Sequence, residues 1–186
     1  MNRRKFVLLV ALVVAASLIL SGCFGPKKEP KKVKKPKPVP SKTVAQGKPL
    51  TVGSFKYELL RSYETTMIGP PGVITSSKAR GKFVVLEFQA ELVSDHVRSL
   101  DRREITVVDA KGKVYQSSLD AQGALKAQGK ANLFKQDTTY RGIPVQGWVA
   151  FDVSTKADGL RIKIINLFEP KAFEGYIALP ATPAKP

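Results

Sequence analysis

The residue with the most definite chemistry is Cys23, the only cysteine in the chain. A single thiol cannot form a disulfide within one chain, and it cannot supply the paired cysteines of a zinc or redox site. A buried, unreactive thiol is the alternative, but Phe24, Gly25, Pro26 and then lysines follow this residue. We therefore expect the thiol to be accessible to modification.

The residues before Cys23 have the layout of a secretory leader. Arg3, Arg4 and Lys5 form a basic start, and the 15 residues 6–20 carry no charge. An uncleaved membrane anchor is the alternative. A membrane-spanning helix, however, needs ~20 apolar residues, so the apolar run is too short to span comfortably.

Leu20, Ser21, Gly22 and Cys23 together resemble the lipobox of bacterial lipoproteins. The resemblance implies cleavage before the cysteine, diacylglycerol on its sulfur and usually an acyl chain on the new amino terminus. Each acyl methylene buried in a bilayer contributes ~0.8 kcal/mol, and two or more chains give lasting attachment. We therefore expect a signal peptide over 1–22 and a lipid anchor on the extracytoplasmic side of the cell membrane, or on an outer membrane if the host has one.

The segment after Cys23 is rich in lysine and proline. Five of the 13 prolines fall within 26–40, and 26–42 holds eight lysines against Glu29. This composition predicts an extended spacer over 23–47, which at ~3.1 Å per residue would reach roughly 70 Å. Its lysines could bind anionic headgroups or envelope polymers, or could merely keep the spacer extended. The candidate contacts are Lys27, Lys28, Lys31, Lys32, Lys34, Lys35 and Lys37.

The net charge of +16 belongs mostly to the leader and the spacer. The leader carries +3 and residues 26–42 carry +7, which leaves +6 for the rest of the chain. Basic proteins often neutralise the phosphates of nucleic acids. Because we expect the protein to lie outside the cytoplasm, we expect no nucleic-acid partner.

Side chains that could act as acids, bases or metal ligands are poorly arranged for catalysis. Glu87 and Glu91 share one face of one predicted strand and so lie ~13 Å apart, whereas glycosidase carboxylates need ~5 to 9.5 Å. His96, the only histidine, follows Asp95 in a polar loop with no nucleophile in view. Asp95 and Asp101 lack the acidic spacing of a calcium loop. We expect no enzyme activity, no metal and no cofactor.

Trp148 is the strongest candidate for a partner-binding residue. Strand alternation directs its neighbour Val149 into the core, so the indole should point the opposite way, where an exposed aromatic ring can anchor a partner. Tyr140 and Arg141 are the candidate companions, because they lie close by in the sequence. The alternative is that residues 118–136 fold over the indole and cover it.

Period-two alternation predicts the strands that position these residues. Residues 82–93 form the clearest strand, with one face in the core and the other mostly in water. Asp109 and Gly112 fit a tight hairpin turn between 105–108 and 114–115. Six or seven short strands predict an antiparallel sandwich. The core-facing residues of four strands are expected to be Phe55, Tyr57 and Leu59; Val84, Leu86, Phe88, Ala90 and Leu92; Val145, Val149, Phe151 and Val153; and Leu160, Ile162 and Ile164.

Three segments do not fit this pattern. Residues 67–77 contain Gly-Pro-Pro-Gly and should form a long loop, and 118–136 is expected to hold at most a weak helical turn after Asp120. Residues 172–179 should add an edge strand or simply trail. The predicted organisation is a domain over 48–168 and a tail over 169–186.

Four runs in the expected order resemble the DUF4352 family: 79–86, 107–115, 147–153 and 157–160. Domains of this family are similar to telokin-like and MPT63-like sandwiches, and they commonly follow a lipobox. The resemblance covers about 49–167. It departs from the family at Tyr-Arg-Gly-Ile-Pro before the third run, where relatives usually have an Asn-Pro-Gly type of turn. It implies an all-β, immunoglobulin-like antiparallel sandwich without an agreed active site.

The sequence therefore predicts a membrane-anchored extracytoplasmic lipoprotein with an immunoglobulin-like binding or structural module. The expected partners are the bilayer, through acylated Cys23, an anionic envelope polymer and an unidentified protein. Two other functions stay open. One is a cell-envelope hydrolase with an unrecognised site, and the other is an adhesin that binds polyanions through the lysine-rich linker.

Overall fold

The structure, a computed structural model, describes residues 41–135, 140–168 and 174–180. Within these ranges no helix is both long enough and apolar enough to cross a bilayer. In the same ranges, one α-helix, α1 (Leu119–Ala127), and a short 3-10 helix (Leu133–Lys135) precede the seventh strand. The strands are β1 (Ser41–Ala45), β2 (Leu50–Val52), β3 (Phe55–Ile68), β4 (Ser77–Leu92), β5 (Ile105–Val108), β6 (Val114–Tyr115), β7 (Pro144–Val153), β8 (Arg161–Ile164) and β9 (Glu174–Ala178).

The strands form two sheets. One sheet has the order β1-β9-β8-β5-β6, and the other has the order β2-β3-β4-β7. Neighbouring strands are antiparallel in every pair except β1 and β9, which run parallel. This arrangement confirms the predicted all-β, largely antiparallel sandwich.

The space between the sheets holds the main apolar core, and the predicted strand alternation is confirmed there. Both sheets contribute side chains that are almost fully buried, as alternation along each strand requires. The aromatic members, Phe55, Tyr57, Phe88 and Phe151, have the largest volumes and each is at most 1% exposed. The aliphatic members from the four predicted strands include Leu59, Val84, Leu86, Leu92, Val149, Val153, Ile162 and Ile164.

Helix α1 covers part of the outer face of the four-stranded sheet, which the alternation alone placed mostly in water. Phe83 and Val85 on the outer face of β4 are buried against Ala121 and Leu125 of the helix. The helix begins at Ser118, whose Oγ accepts the N–H of residue 121 at 3.3 Å. In place of the predicted weak helical turn, the chain therefore forms the longer helix Leu119–Ala127. This helix depends on its buried face, because its glycine at position 123 lowers helix propensity.

The ends of the domain also differ from the predicted boundaries. β1 lies within 23–47, the range assigned to the spacer, and its residues pair one by one with β9. β9 is not an edge strand, because it lies between β1 and β8. Residues 67, 68 and 77, assigned to a loop, belong to β3 and β4. The signal peptide and the lysine-rich part of the spacer lie outside the described residues.

The predicted hairpin turn between β5 and β6 is present. One Asp109 carboxylate oxygen accepts the N–H groups of Lys111 and Lys113, each at 2.9 Å. These bonds, above all the one from Lys113, hold the pKa of Asp109 below its usual value. Gly112 completes the turn with a φ of 82°, which a glycine adopts without strain.

Candidate functional site

Leu20, Ser21, Gly22, Cys23 and the candidate linker lysines all lie outside the described residues. The structure therefore bears on the candidates within the sandwich. Two regions bring functional side chains together. One is an aromatic cluster on the outer face of the four-stranded sheet, and the other is a cleft at one open end between the two sheets.

The aromatic cluster is built around Trp148. β7 directs the indole outward as predicted, but the side chain is only half-buried rather than free. Its ring meets that of Tyr63 edge to face, with centroids 6.1 Å apart. Lys130 Nζ lies 4.1 Å from the indole centroid and donates to Tyr63 Oη at 2.8 Å. Trp148 is therefore part of a partly covered cluster, in which Lys130 from the segment 118–136 lies over the indole.

The segment that follows α1 positions the lysine of this cluster. The chain leaves the helix through Gly129, whose φ is 74°, and the Lys130 N–H donates to Leu125 O at 3.0 Å. The next residues run along the free edge of β7, where the Trp148 N–H donates to Ala131 O at 2.7 Å. This covering segment, 117–135, thereby protects an edge strand as well as an aromatic ring.

We expect Lys130→Gln to weaken the attachment of the covering segment. The substitution removes the ammonium group from the faces of Trp148 and Tyr63, and a partly desolvated cation–π contact contributes about 1 kcal/mol. Urea unfolding should therefore show a free energy of unfolding lower by about that amount. Lys126→Gln, at an exposed position of α1 in the same covering segment, is the matched control. Equal losses in the two variants would contradict the assignment.

Tyr140 and Arg141 are not companions of Trp148. Arg141 forms a parallel bridge with Leu92, and Glu87, not Leu92, is the β4 residue opposite the tryptophan. The two residues thus lie before the start of β7, beside the end of β4 and away from the indole. Arg141 pairs with Asp95, but both side chains are more than half exposed. Such a surface pair contributes little to stability.

The carboxylates considered for catalysis are engaged with cations. Glu87 pairs with Arg61 at 3.1 Å, and Glu91 pairs with Lys56. A side-chain hydrogen bond from Arg103 lowers the pKa of Asp101 to about 2. His96 is exposed in the loop after β4. Among the described residues, no group of three or more His, Cys, Asp or Glu side chains could hold a metal ion.

The cleft opens between the sheets where β3 and β4 extend past the main core. Its volume is about 380 Å³, within the range of small-ligand sites. Glu64 and Lys82 occupy inner-face positions, beside Val84 and Val153 respectively, and form an ion pair of 2.8 Å. The opposite wall comes from 157–160 and from Leu179 and Pro180. Polar residues at positions where the fold expects apolar ones are typical of functional sites.

A β-bulge creates both regions. The pairing of β3 with β4 shifts by one residue between Leu59 and Arg61, and such a shift exchanges the faces of the side chains that follow it, here up to a second shift after Thr65. Ser62 and Glu64 therefore face the cleft, and Tyr63 faces the tryptophan. The alternation of 55, 57 and 59 gives no signal of this shift. The polar types that interrupt the core pattern are the only trace of the cleft in the sequence.

No family model and no curated protein matches the sequence. The fold is similar to that of the yjhA protein from Bacillus subtilis, with a TM-score of 0.53, 9% identity, and coverage of 73% of this chain and 99% of that one. The secreted protein MPT63 from Mycobacterium tuberculosis gives a TM-score of 0.49 at 12% identity, over 78% of this chain and 100% of its own. An uncharacterized β-sandwich protein from Clostridium difficile gives 0.43 at 11%, over 82% and 100%. The likeness to the yjhA protein is one of fold.

Proposed function

We propose that the chain is an extracytoplasmic lipoprotein, held on a membrane by acyl chains on Cys23, whose sandwich is a binding module of the DUF4352 type. The observation that carries the proposal is the position of the only cysteine. It ends a Leu-Ser-Gly-Cys motif directly after a basic start and an uncharged apolar run of 15 residues. Acylation of this thiol attaches a domain that has no membrane-spanning helix within its described residues.

The sandwich supports a binding role more than a catalytic one. The carboxylates of Glu87 and Glu91 are paired with Arg61 and Lys56, and the aromatic cluster is partly covered by Lys130. The cleft offers the ammonium group of Lys82 and the carboxylates of Glu64 and Asp158 between two sheets. A ligand can be held there by charge and hydrogen bonds, whereas a hydrolase needs a nucleophile or a water beside a poised base.

The proposal is tested by labelling the host with an alkyne analogue of palmitate. The parent protein should carry the label, and Cys23→Ala should carry none, because the acyl acceptor is gone. Phe24→Ala, which keeps the thiol and changes its neighbour, is the matched control and should stay labelled. Mass spectrometry of the parent that found residues 1–22 intact and an unmodified thiol would contradict the proposal.

A further inference from the structure

The hairpin between β3 and β4 displays an apolar tip. Its turn, residues 69–76, contains Val73, which is 44% exposed, and Ile74, which is 100% exposed. The turn is ordered by its own bonds, since the N–H of Ser76 donates to Val73 O at 2.9 Å. Gly69 and Gly72 adopt φ values of 92° and 78°, which reverse the chain tightly. The aliphatic side chains are thus held out into solvent instead of folding back.

Along the chain, the flanks of this tip carry positive charge only, and the carboxylate of Asp152 across the sheet accepts the N–H groups of Arg80 and Gly81. Lys78 and Arg80 are both exposed on β4 just after the turn, and residues 65–81 include no aspartate or glutamate. Apolar residues flanked by cationic ones are typical of segments that bind at the interface between water and an anionic bilayer. Protein interfaces instead rely on anchors, mostly aromatic or arginine, that enter pockets; the tip has no aromatic residue, and Arg80 lies on its flank rather than at the tip.

The base of the hairpin is fixed to the body of the domain. Ile68 is 3% exposed and packs in one cluster with Phe83 and Leu125, so the hairpin rests on α1. The N–H groups of Arg80 and Gly81 donate to the two carboxylate oxygens of Asp152, at 3.0 and 3.2 Å. A fixed base means that insertion of the tip requires no reordering of the hairpin.

We propose that the tip of the β3–β4 hairpin, Val73 and Ile74 with Lys78 and Arg80, is a second membrane contact that inserts into the headgroup region of an anionic bilayer. The proposal rests on the proposed function, because acylation of Cys23 is what brings the bilayer close. It assigns the domain its own lipid-binding site. The domain would then lie against the membrane with a defined face instead of turning freely on its anchor.

The chain is long enough for both contacts to be made together. Ser41 pairs with Glu174, and Gly175 lies against Leu50 and Val52, so β1 starts near the end of β3 that is remote from the tip. The 14 residues of β3 span about 46 Å. Residues 24–40, at about 3.1 Å each in polyproline form, could span about 53 Å.

The test uses the mature chain from residue 23 onward with Cys23→Ala, which has no other thiol. Ile74→Cys introduces a single site for the polarity-sensitive fluorophore NBD. Val97→Cys is the matched control, because Val97 is also an exposed aliphatic residue, at 62%, and lies in the loop at the other end of the sandwich. Both proteins keep the lysine-rich spacer, so any recruitment by the spacer is equal. The vesicles are phosphatidylglycerol mixed with phosphatidylcholine, with pure phosphatidylcholine for comparison.

We expect a blue shift and a rise of NBD emission at position 74 on the anionic vesicles, with no change at position 97. Lys78→Gln with Arg80→Gln should reduce the response at position 74. An unchanged spectrum at position 74, or equal responses at the two positions, would overturn the proposal and leave the tip to a protein partner. An equal response on pure phosphatidylcholine would overturn the role of the cations. Because the tested chain is not acylated, its failure leaves the labelling result at Cys23 untouched.

Discussion

Arg98→Met is expected to lower the free energy of unfolding by about 3–5 kcal/mol at neutral pH, because it leaves a buried carboxylate without its cation. Nη2 of Arg98 forms an ion pair with the carboxylate of Glu104, and Glu104 is 1% exposed. The guanidinium also lies between two rings, 5.5 Å from the centroid of Phe55 and 4.6 Å from that of Phe168. Methionine restores part of the apolar packing but not the charge. Chemical unfolding followed by circular dichroism measures the loss.

The cost of this substitution should depend on pH. Burial raises the pKa of Glu104 above its ordinary value of 4.5, and the charge of Arg98 acts in the opposite direction. Without Arg98 the pKa rises further. A carboxyl group whose pKa is raised by folding binds more protons in the folded state, so it favours the folded state at low pH, and this advantage is lost as the pH rises through the folded pKa. The variant should therefore be closest to the parent below pH 4.5 and furthest from it at neutral pH.

The double variant Arg98→Met with Glu104→Gln separates charge from packing. Glutamine keeps the shape of the side chain and removes the charge, so part of the stability lost in the single variant should return at neutral pH. A double variant as unstable as the single one, or a deficit of the single variant that does not change with pH, would show that the unpaired carboxylate is not the cause.

The core-facing residues of the long strands could be predicted from the sequence. The helix that packs on the outer face of one sheet and the strands at the sheet edges could not. Val84, Leu86 and Phe88 repeat every second residue, and this period depends only on the geometry of a strand. The pairing of β1 with β9 is a contact between backbones at opposite ends of the domain sequence, and Ser41–Ala45 holds little apolar pattern. The pattern along one strand also does not indicate what packs on its outer face, so it does not predict that α1 covers Phe83 and Val85.

The candidate site was predictable to the same extent. The outward direction of Trp148 follows from alternation, but its partners depend on tertiary contacts. Tyr63 reaches the indole because of the bulge after Leu59, and Lys130 reaches it because of the turn at Gly129. Tyr140 and Arg141 are close to Trp148 along the chain, but each residue of an extended strand adds ~3.3 Å to the distance between them.

Gly147→Ala is expected to detach the covering segment from β7 and expose the tryptophan. A Cβ at this position would lie 2.4 Å from the backbone N and Cα of Leu133. Backbone cannot rotate away as a side chain can, so the 3-10 helix must move. Overpacking of this kind costs about 1–3 kcal/mol. Because the neighbouring bond from the Trp148 N–H to Ala131 O holds the same crossing, its loss should accompany the shift.

Tryptophan fluorescence reports the exposure directly, since the chain has a single tryptophan. The parent should show blue-shifted emission with weak quenching by acrylamide, and Gly147→Ala should show red-shifted emission with stronger quenching. Gln146→Ala, at an exposed position of the same strand, should behave like the parent. If Gly147→Ala kept the emission of the parent, the indole would owe its protection to Tyr63 and Lys130 alone. The close crossing at position 147 would then stabilise the edge of β7 without protecting the ring.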